Sequence, residues 1–122
     1  MKPYRFLEEA EAEFETNCRY YDQQVAGLGD RFAADVDRII TQIREYPQSG
    51  ALVSRILRKR VLHLFKHNIL YVDARDEIIV VAIAPHRRRT GYWRERMKPH
   101  ALTIASKESH SAQVRQRTAS GR

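Results

Sequence analysis

The residues best equipped for chemistry form a basic run, His86-Arg87-Arg88-Arg89, directly after the most apolar segment of the chain. Histidine can move a proton near neutral pH, and arginine can bind a phosphate through paired hydrogen bonds. The apolar residues from Ile78 to Ile83 are mostly β-branched, and so short a run is typical of a strand buried on both faces. Because Pro85 cannot donate to a β-ladder, we expect the strand to stop there and the basic run to start at the end of a sheet.

A second group of cations, Arg58-Lys59-Arg60, precedes another apolar segment and could hold backbone phosphates. Runs of like charge are also typical of a solvated surface, and that interpretation stays open for both groups. The histidines at positions 63, 67 and 86 could converge as a metal site. No cysteine or acidic ligand accompanies them at a fixed metal-binding spacing, so we expect no metal and no other cofactor.

The charges divide the chain into an acidic first part and a basic second part. Residues 1–46 contain six Lys or Arg and ten Asp or Glu, a net charge of −4. Residues 47–122 contain sixteen Lys or Arg and five Asp or Glu, a net charge of +11. This division favours an anionic partner for the second part, either nucleic acid or an acidic protein segment.

Length and composition indicate a single domain without a membrane segment. The chain has 122 residues, and no apolar run approaches the ~20 residues that a transmembrane helix needs. Its first residues lack the apolar segment of a signal peptide, and the single cysteine, Cys18, excludes an internal disulfide. We therefore expect a cytoplasmic protein with no membrane partner.

Two amphipathic helices are predicted ahead of the sheet, because apolar residues recur at the helical period in two segments. Gly27 and Gly29 separate the helices, Asp30 is expected to begin the second, and Pro47 ends it. Their short connection predicts an antiparallel helical hairpin. The first apolar stripe is Ala10, Phe14, Cys18, Tyr21 and Val25, and the second is Phe32, Val36, Ile39 and Ile43.

Three strands are predicted at residues 59–65, 68–73 and 77–84, with short connections that favour antiparallel hairpins. Residues 2–7 could add a first strand, residues 47–54 are expected to form a loop, and residues 90–97 a turn or short helix whose aromatics dock on the sheet. The predicted fold class is α+β, with an antiparallel helical hairpin packed on a small antiparallel sheet.

The last part of the chain differs in composition. Residues 98–122 contain few large apolar side chains and are predicted to form a basic, disordered tail. The folded domain is therefore expected to comprise residues 1–97.

The order of these elements and three local patterns resemble the RelE/ParE superfamily of toxins from bacterial toxin–antitoxin modules. The helical hairpin ends in Tyr46-Pro47-Gln48-Ser49-Gly50, and Phe65-Lys66-His67-Asn68-Ile69-Leu70-Tyr71 is similar to the superfamily's Phe-Pro-Tyr-x-Ile-x-Tyr strand. The segment from Ile83 to Trp93 resembles the superfamily's last strand and the basic segment that follows it. The likeness covers residues 2–97. It implies a toxin neutralised by a cognate antitoxin whose C-terminal segment wraps the helical hairpin and the sheet edge.

The resemblance implies two alternative activities. Ribonuclease members cleave mRNA in the ribosomal A site; Arg87 then resembles the arginine that stabilises the scissile phosphate, and His86 could move a proton. ParE-like members poison DNA gyrase and need no cleavage chemistry of their own. The target is therefore gyrase or ribosome-bound mRNA, and its expected contacts are Arg58, Lys59, Arg60, Arg88 and Arg89.

One residue favours the gyrase alternative. Ribonuclease members that resemble RelE carry an arginine near the position of Asn68, and an amide cannot supply that charge. Tyr92 could correspond to the C-terminal tyrosine that some of them use. We therefore expect a ParE-like gyrase inhibitor, with a ribosome-dependent endoribonuclease as the alternative. A third possibility is an inactive toxin that persists in a DNA-binding repressor complex with its antitoxin.

Overall fold

The computed structural model describes residues 1–86 and 91–98 of the chain. The described residues form a five-stranded sheet with two long helices on one face and a short helix on the other. None of the described helices combines the length and the apolar character needed to cross a membrane. In chain order the elements are β1 (Tyr4–Phe6), α1 (Glu8–Gln24), α2 (Leu28–Glu45), β2 (Ala51–Leu52), β3 (Leu57–Val61), β4 (His67–Asp73), β5 (Ile78–Pro85) and α3 (Tyr92–Met97).

The strands are arranged in the order β1-β5-β4-β3-β2. Strands β2 to β5 pair antiparallel, and together with the helical hairpin they confirm the predicted α+β class. β1 departs from the expected all-antiparallel sheet, because it pairs with β5 in parallel, from Tyr4 against Ile78 to Phe6 against Val80. A parallel pair needs a long crossover, and the chain between β1 and β5, which includes both long helices, provides it.

Both faces of the sheet are covered, by different elements. On the face toward α1 and α2, here the helix face, the apolar stripes of the two helices pack against β4 and β5. On the opposite face, Trp93 of α3 is buried in a second cluster, which confirms that an aromatic after β5 docks on the sheet. Coverage on both sides explains why β5 is apolar throughout. Val25, expected on the first stripe, is 60% exposed because α1 ends at Gln24.

The strand predicted at residues 59–65 is misplaced, because β3 spans Leu57–Val61. Leu62 and Phe65 both pack against the helix-face cluster, and residues three apart cannot lie on one face of a strand. The backbone therefore leaves the ladder after β3 and forms a turn. Asp35 on α2 stabilises this turn, since its buried carboxylate accepts a hydrogen bond of 2.8 Å from the N–H of Leu64.

The helix α2 begins at Leu28, two residues before the predicted start at Asp30. The N–H of Gly29 donates a hydrogen bond of 2.8 Å to the carboxylate of Asp22 on α1. A Cβ atom at position 29 would lie 2.3 Å from the carbonyl oxygen of Cys18, so only glycine allows the two helices to approach this closely.

Tyr71, fully buried in β4, fixes the segment between α2 and β3 to the sheet. Its hydroxyl donates to the Pro47 carbonyl at 2.7 Å and accepts from the Gly50 N–H at 2.9 Å. Burial raises the pKa of Tyr71, which keeps the phenol protonated as a donor. A Cβ atom at position 50 would lie 2.7 Å from this hydroxyl. The loop predicted for residues 47–54 also contains β2, which pairs with β3.

An ion pair closes the edge of β5 that β1 leaves open. β1 pairs only with residues 78–80, and beyond them the backbone of β5 faces α1. The carboxylate of Glu13 accepts a hydrogen bond of 3.0 Å from the N–H of Ile83, and the guanidinium of Arg96 donates one of 3.2 Å to the Val81 carbonyl. The two side chains also bind each other at 2.7 and 2.8 Å. The pair therefore connects α1, β5 and α3.

We expect Tyr71→Phe to lower the free energy of unfolding by roughly 1–3 kcal/mol, because it leaves the buried N–H of Gly50 without its partner. Urea denaturation measures the change. Tyr20→Phe removes a hydroxyl from an exposed ring and is the matched control, with an expected change below about 0.5 kcal/mol. Equal stability of Tyr71→Phe and the unaltered chain would contradict this role of the hydroxyl.

The Glu13–Arg96 pair is testable by a double-mutant cycle with Glu13→Ala and Arg96→Ala. Both side chains are largely buried, so we expect a coupling energy on the order of 1–3 kcal/mol in urea denaturation. The exposed pair Glu95–Lys98, measured in the same way, should give less than about 0.5 kcal/mol. Equal coupling in the two cycles would mean that the first pair does not close the sheet edge.

Candidate binding site at the end of the sheet

His86 belongs to the described residues and follows β5, whereas Arg87, Arg88 and Arg89 lie outside them. The backbone N–H of His86 donates to the carbonyl of Lys66, and its ring Nε2 lies 3.0 Å from the carbonyl of His67. A carbonyl oxygen can only accept, so Nε2 carries the hydrogen in this contact. The Nδ1 atom of the neutral ring is then an acceptor, as a proton-transfer group requires.

His67 begins β4, one residue earlier than the predicted strand, and it is 6% exposed. Its ring centroid lies 5.3 Å from that of Phe32 and 6.0 Å from that of Tyr21. Its Nδ1 atom is buried and has no hydrogen-bond partner among the described residues. Burial and the neighbouring His86 lower the pKa of His67, while Glu13 acts in the opposite direction.

A cleft of about 470 Å³ separates α1 from this end of the sheet, and we call it the α1 cleft. Among the described residues that line it, all except Pro85 can donate a hydrogen bond, and none is acidic. Sequence analysis predicted His86 but missed the α1 side, because Tyr21 belongs to an apolar stripe and no local pattern places Tyr20 beside the strand ends. The lining residues are Asn17, Tyr20, Tyr21, Lys66, His67, Pro85 and His86.

The predicted contacts Arg58, Lys59 and Arg60 do not form one patch, because side chains alternate along β3. Arg58 pairs with Tyr71 and Arg60 with Ile69, so both arginines lie on the helix face. Arg58 donates to two loop carbonyls at 2.8 and 3.2 Å, and Arg60 donates to the loop and to α2 at 2.9 and 2.6 Å. The arginines brace the loop after α2, and Lys59 lies on the opposite face.

Asn68 lies on the same face as Lys59, opposite Val61 of β3 and Ala84 of β5. Within β3 and β4, both described throughout, Lys59 is the single cation on this face. Tyr92 begins α3, where its hydroxyl lies 3.4 Å from Glu13 Oε2. The face of β3 and β4 that carries Lys59 and Asn68 would have to bind the phosphate in an RNA-cleavage reaction. In these two strands it therefore carries little positive charge.

The three histidines do not meet. His67 and His86 are in contact, but His63 lines a separate cleft with Arg38, Gln42 and other residues of α2 and the β3 end. Across residues 1–86 and 91–98, no group of three or more His, Cys, Asp or Glu side chains is placed to hold a metal ion.

Comparison with known proteins connects this fold to one family. Residues 4–90 match the family model described as ParE toxin of type II toxin–antitoxin system, parDE. Among solved structures, the chain is similar to one titled "Chromosomal ParDE TA system from P. aeruginosa", with a TM-score of 0.62 and 13% identity. The alignment covers 70% of this chain and 96% of that chain, and at this identity the likeness concerns the fold. No match is found among curated proteins.

The lowered pKa of His67 predicts a loss of stability in mild acid. Because the unfolded ring titrates near its ordinary pKa of about 6.5, the unfolded chain takes up the proton first. Stability contributed by the neutral ring is therefore present above about pH 6.5 and decreases as the pH falls toward the pKa of the folded state.

We expect His67→Phe to reduce this acid-induced loss, and to be at least as stable as the unaltered chain at neutral pH, because it removes an unpartnered buried nitrogen. Thermal unfolding between pH 5 and 8, roughly the range over which histidine titrates, measures both effects. His63→Gln, at an exposed position, is the control and should retain the slope. An unchanged slope in His67→Phe would assign the pH dependence to other groups.

Proposed function

This chain belongs to the ParE toxin family of type II toxin–antitoxin systems, and we propose that it inhibits bacterial growth by trapping DNA gyrase. The observation that carries the proposal is the family match over residues 4–90, which includes β1 to β5 and both long helices. The target in this proposal is taken from the resemblance of the chain to ParE-like toxins, because those toxins act on gyrase.

The strand face that carries Lys59 supports gyrase over ribosome-bound mRNA. Stabilising a scissile phosphate needs several preorganised donors around the charge that develops. In β3 and β4 this face offers Lys59 and, at the position where similar ribonucleases carry an arginine, Asn68. A surface of this kind can bind a partner protein without providing a catalytic pair.

We further propose that a cognate antitoxin neutralises the chain by covering the helical hairpin and the edge of the sheet. The solved structure similar to this chain carries a title that names a ParDE system. A groove of about 490 Å³ runs between β1, α1 and α2, and β1 is an edge strand. An extended segment could pair with β1 and place apolar side chains in the groove. Its lining includes Tyr4, Phe6, Phe14, Val36 and Ile40.

A ribosome-dependent endoribonuclease is the second candidate, favoured by the geometry of His86. The His67 carbonyl fixes the ring so that Nδ1 can accept a proton, and Arg87 follows directly in the sequence. In this function Arg87 would stabilise the phosphate and His86 would move the proton.

The two candidates give opposite results with purified components. We expect the chain to arrest growth when expressed alone and to generate trapped, cleaved DNA with gyrase, while ribosome-bound mRNA stays intact. Lys59→Ala should weaken the gyrase effect about tenfold, because it removes the single cation that β3 and β4 carry on this face. Lys98→Ala, at an exposed lysine beyond the sheet, is the charge-matched control and should leave the effect unchanged.

Cuts within ribosome-bound mRNA that decrease roughly 100-fold in Arg87→Ala would establish the ribonuclease function instead. Normal growth at high levels of folded chain would contradict both functions. Where a neighbouring reading frame encodes a small protein, growth arrest that persists when that protein is co-expressed would contradict the antitoxin proposal.

A further inference from the structure

A cleft of about 460 Å³ lies between α2 and the end of β3, and we call it the α2–β3 cleft. The groove proposed for the antitoxin, which Val36 and Ile40 line, lies on the opposite side of α2. Among the described residues that line the α2–β3 cleft, none is acidic. The cleft is therefore a separate surface with donors and apolar groups, and its lining residues are Arg38, Ile39, Gln42, Arg60, Val61, Leu62 and His63.

The two arginines of the α2–β3 cleft are held in place by contacts within the fold. Arg38 binds the carboxylate of Asp35, whose side chain is fully buried. Arg60 donates to Ser49 at 2.9 Å and to Gln42 Oε1 at 2.6 Å. A guanidinium has five N–H donors, and these contacts use one in Arg38 and two in Arg60, so each arginine keeps several for a partner. Side chains fixed in this way lose little conformational entropy when they bind.

The charge of the α2–β3 cleft suits a carboxylate. The acidic Asp35 offsets one of the two guanidinium charges, and the cleft retains the other. Arginine binds carboxylates through paired N–H···O hydrogen bonds. Because Gln42 Oε1 accepts from Arg60, the amide N–H groups of Gln42 add neutral donors one helical turn after Arg38.

Nucleic acid is a poorer match than protein for this cleft. Among the described residues that line it, none is Phe, Tyr or Trp, so it lacks the aromatic surface on which single-stranded bases stack. An acidic protein segment needs no such surface. The net charge of +11 on residues 47–122 also favours an anionic partner.

An exposed leucine stands next to the cleft. The N–H of Leu64 donates to Asp35 Oδ2 at 2.8 Å, while Arg38 binds Oδ1 of the same carboxylate. Leu64 is 59% exposed, so a partner could bury further apolar area beside the arginines. Arginine is enriched at protein–protein interfaces, and apolar area buried beside it adds to affinity.

We propose that the α2–β3 cleft binds an acidic segment of a partner protein. A carboxylate of the segment lies between Arg38 and Arg60, where the amide of Gln42 also donates to it, and an apolar side chain of the segment packs against Leu64. This contact requires neither gyrase inhibition nor RNA cleavage, and it is separate from the groove proposed for the antitoxin.

Selection of a phage-displayed library of short random peptides on the full purified chain tests the proposal. We expect the selected peptides to share an Asp or Glu close in sequence to a Leu, Ile, Val or Phe. Fluorescence anisotropy then measures the affinity of the most enriched peptide. Replacing its acidic residues by the corresponding amides should weaken binding about tenfold, because the hydrogen bonds from arginine lose their charged partner.

The variant Gln42→Glu changes the charge of the cleft without removing a contact of the fold. A glutamate still accepts the hydrogen bond from Arg60, so thermal stability should be retained. Its charge repels the carboxylate of the peptide, and we expect binding to weaken about tenfold. Gln23→Glu, at an exposed position of α1, adds the same charge elsewhere and should leave the affinity unchanged.

A second pair of variants tests the apolar contact. Leu64→Ser retains the backbone hydrogen bond to Asp35 and removes exposed apolar area, so we expect the peptide to bind roughly three- to tenfold more weakly. Val25→Ser, at a valine that is 60% exposed, is the matched control and should not change the affinity.

Four results would overturn the proposal. The first is a selection that enriches no peptide combining an acidic and an apolar residue. The second is an equal effect of Gln42→Glu and Gln23→Glu, which would indicate non-specific attraction to a basic chain. The third is a single-stranded oligonucleotide that binds more tightly than the peptide and is weakened by Gln42→Glu, which would assign the cleft to nucleic acid. The fourth is a dimer in sedimentation velocity that Gln42→Glu dissociates, which would assign the cleft to a second copy of the chain.

Discussion

The carboxylate of Glu13 is the contact on which the arrangement of this domain depends. Because β1 is three residues long, none of the strands in the described part of the chain pairs with the outer side of the second half of β5. An unpaired strand edge of this kind tends to recruit another chain. Glu13 satisfies the Ile83 N–H, Arg96 satisfies the Val81 carbonyl, and their ion pair links α1 and α3 across the edge. This fixes α1 beside the strand ends, and the α1 cleft exists because α1 is held there.

The division of basic residues between surfaces follows from the two-residue period of a strand. Three consecutive cations in the sequence resemble one phosphate-binding patch, but Arg58 and Arg60 brace the loop after α2 while Lys59 faces the other way. The hydroxyl of Tyr71 fixes the same loop to β4. Two of the three basic side chains in β3 therefore stabilise the fold. Fewer cations are available there to bind a partner than the composition implies.

The sequence predicts the parts of this fold that depend on local periodicity. The helical stripes and the apolar run of β5 follow from patterns of 3.6 residues and from β-branched composition. The parallel pairing of β1, the turn after β3 and the short β2 depend on contacts between distant residues. Asp35 holds the turn at Leu64 from another helix, and nothing within residues 59–65 indicates it. The α1 cleft was not predicted for the same reason: the sequence names His86 as a candidate because it belongs to a conspicuous basic run, but Tyr20 lies near it only in the folded chain.

His67, at the end of the sheet, lowers the stability of the fold, and packing at this position does not require a histidine. Phenylalanine in place of His67 would fill the same aromatic environment beside Phe32 and Tyr21 without an unpartnered nitrogen. Residues that lower the stability of a fold occur mainly at positions where function requires them. The lowered pKa keeps the ring neutral near pH 7, so it can donate or accept one hydrogen bond without carrying charge into the core.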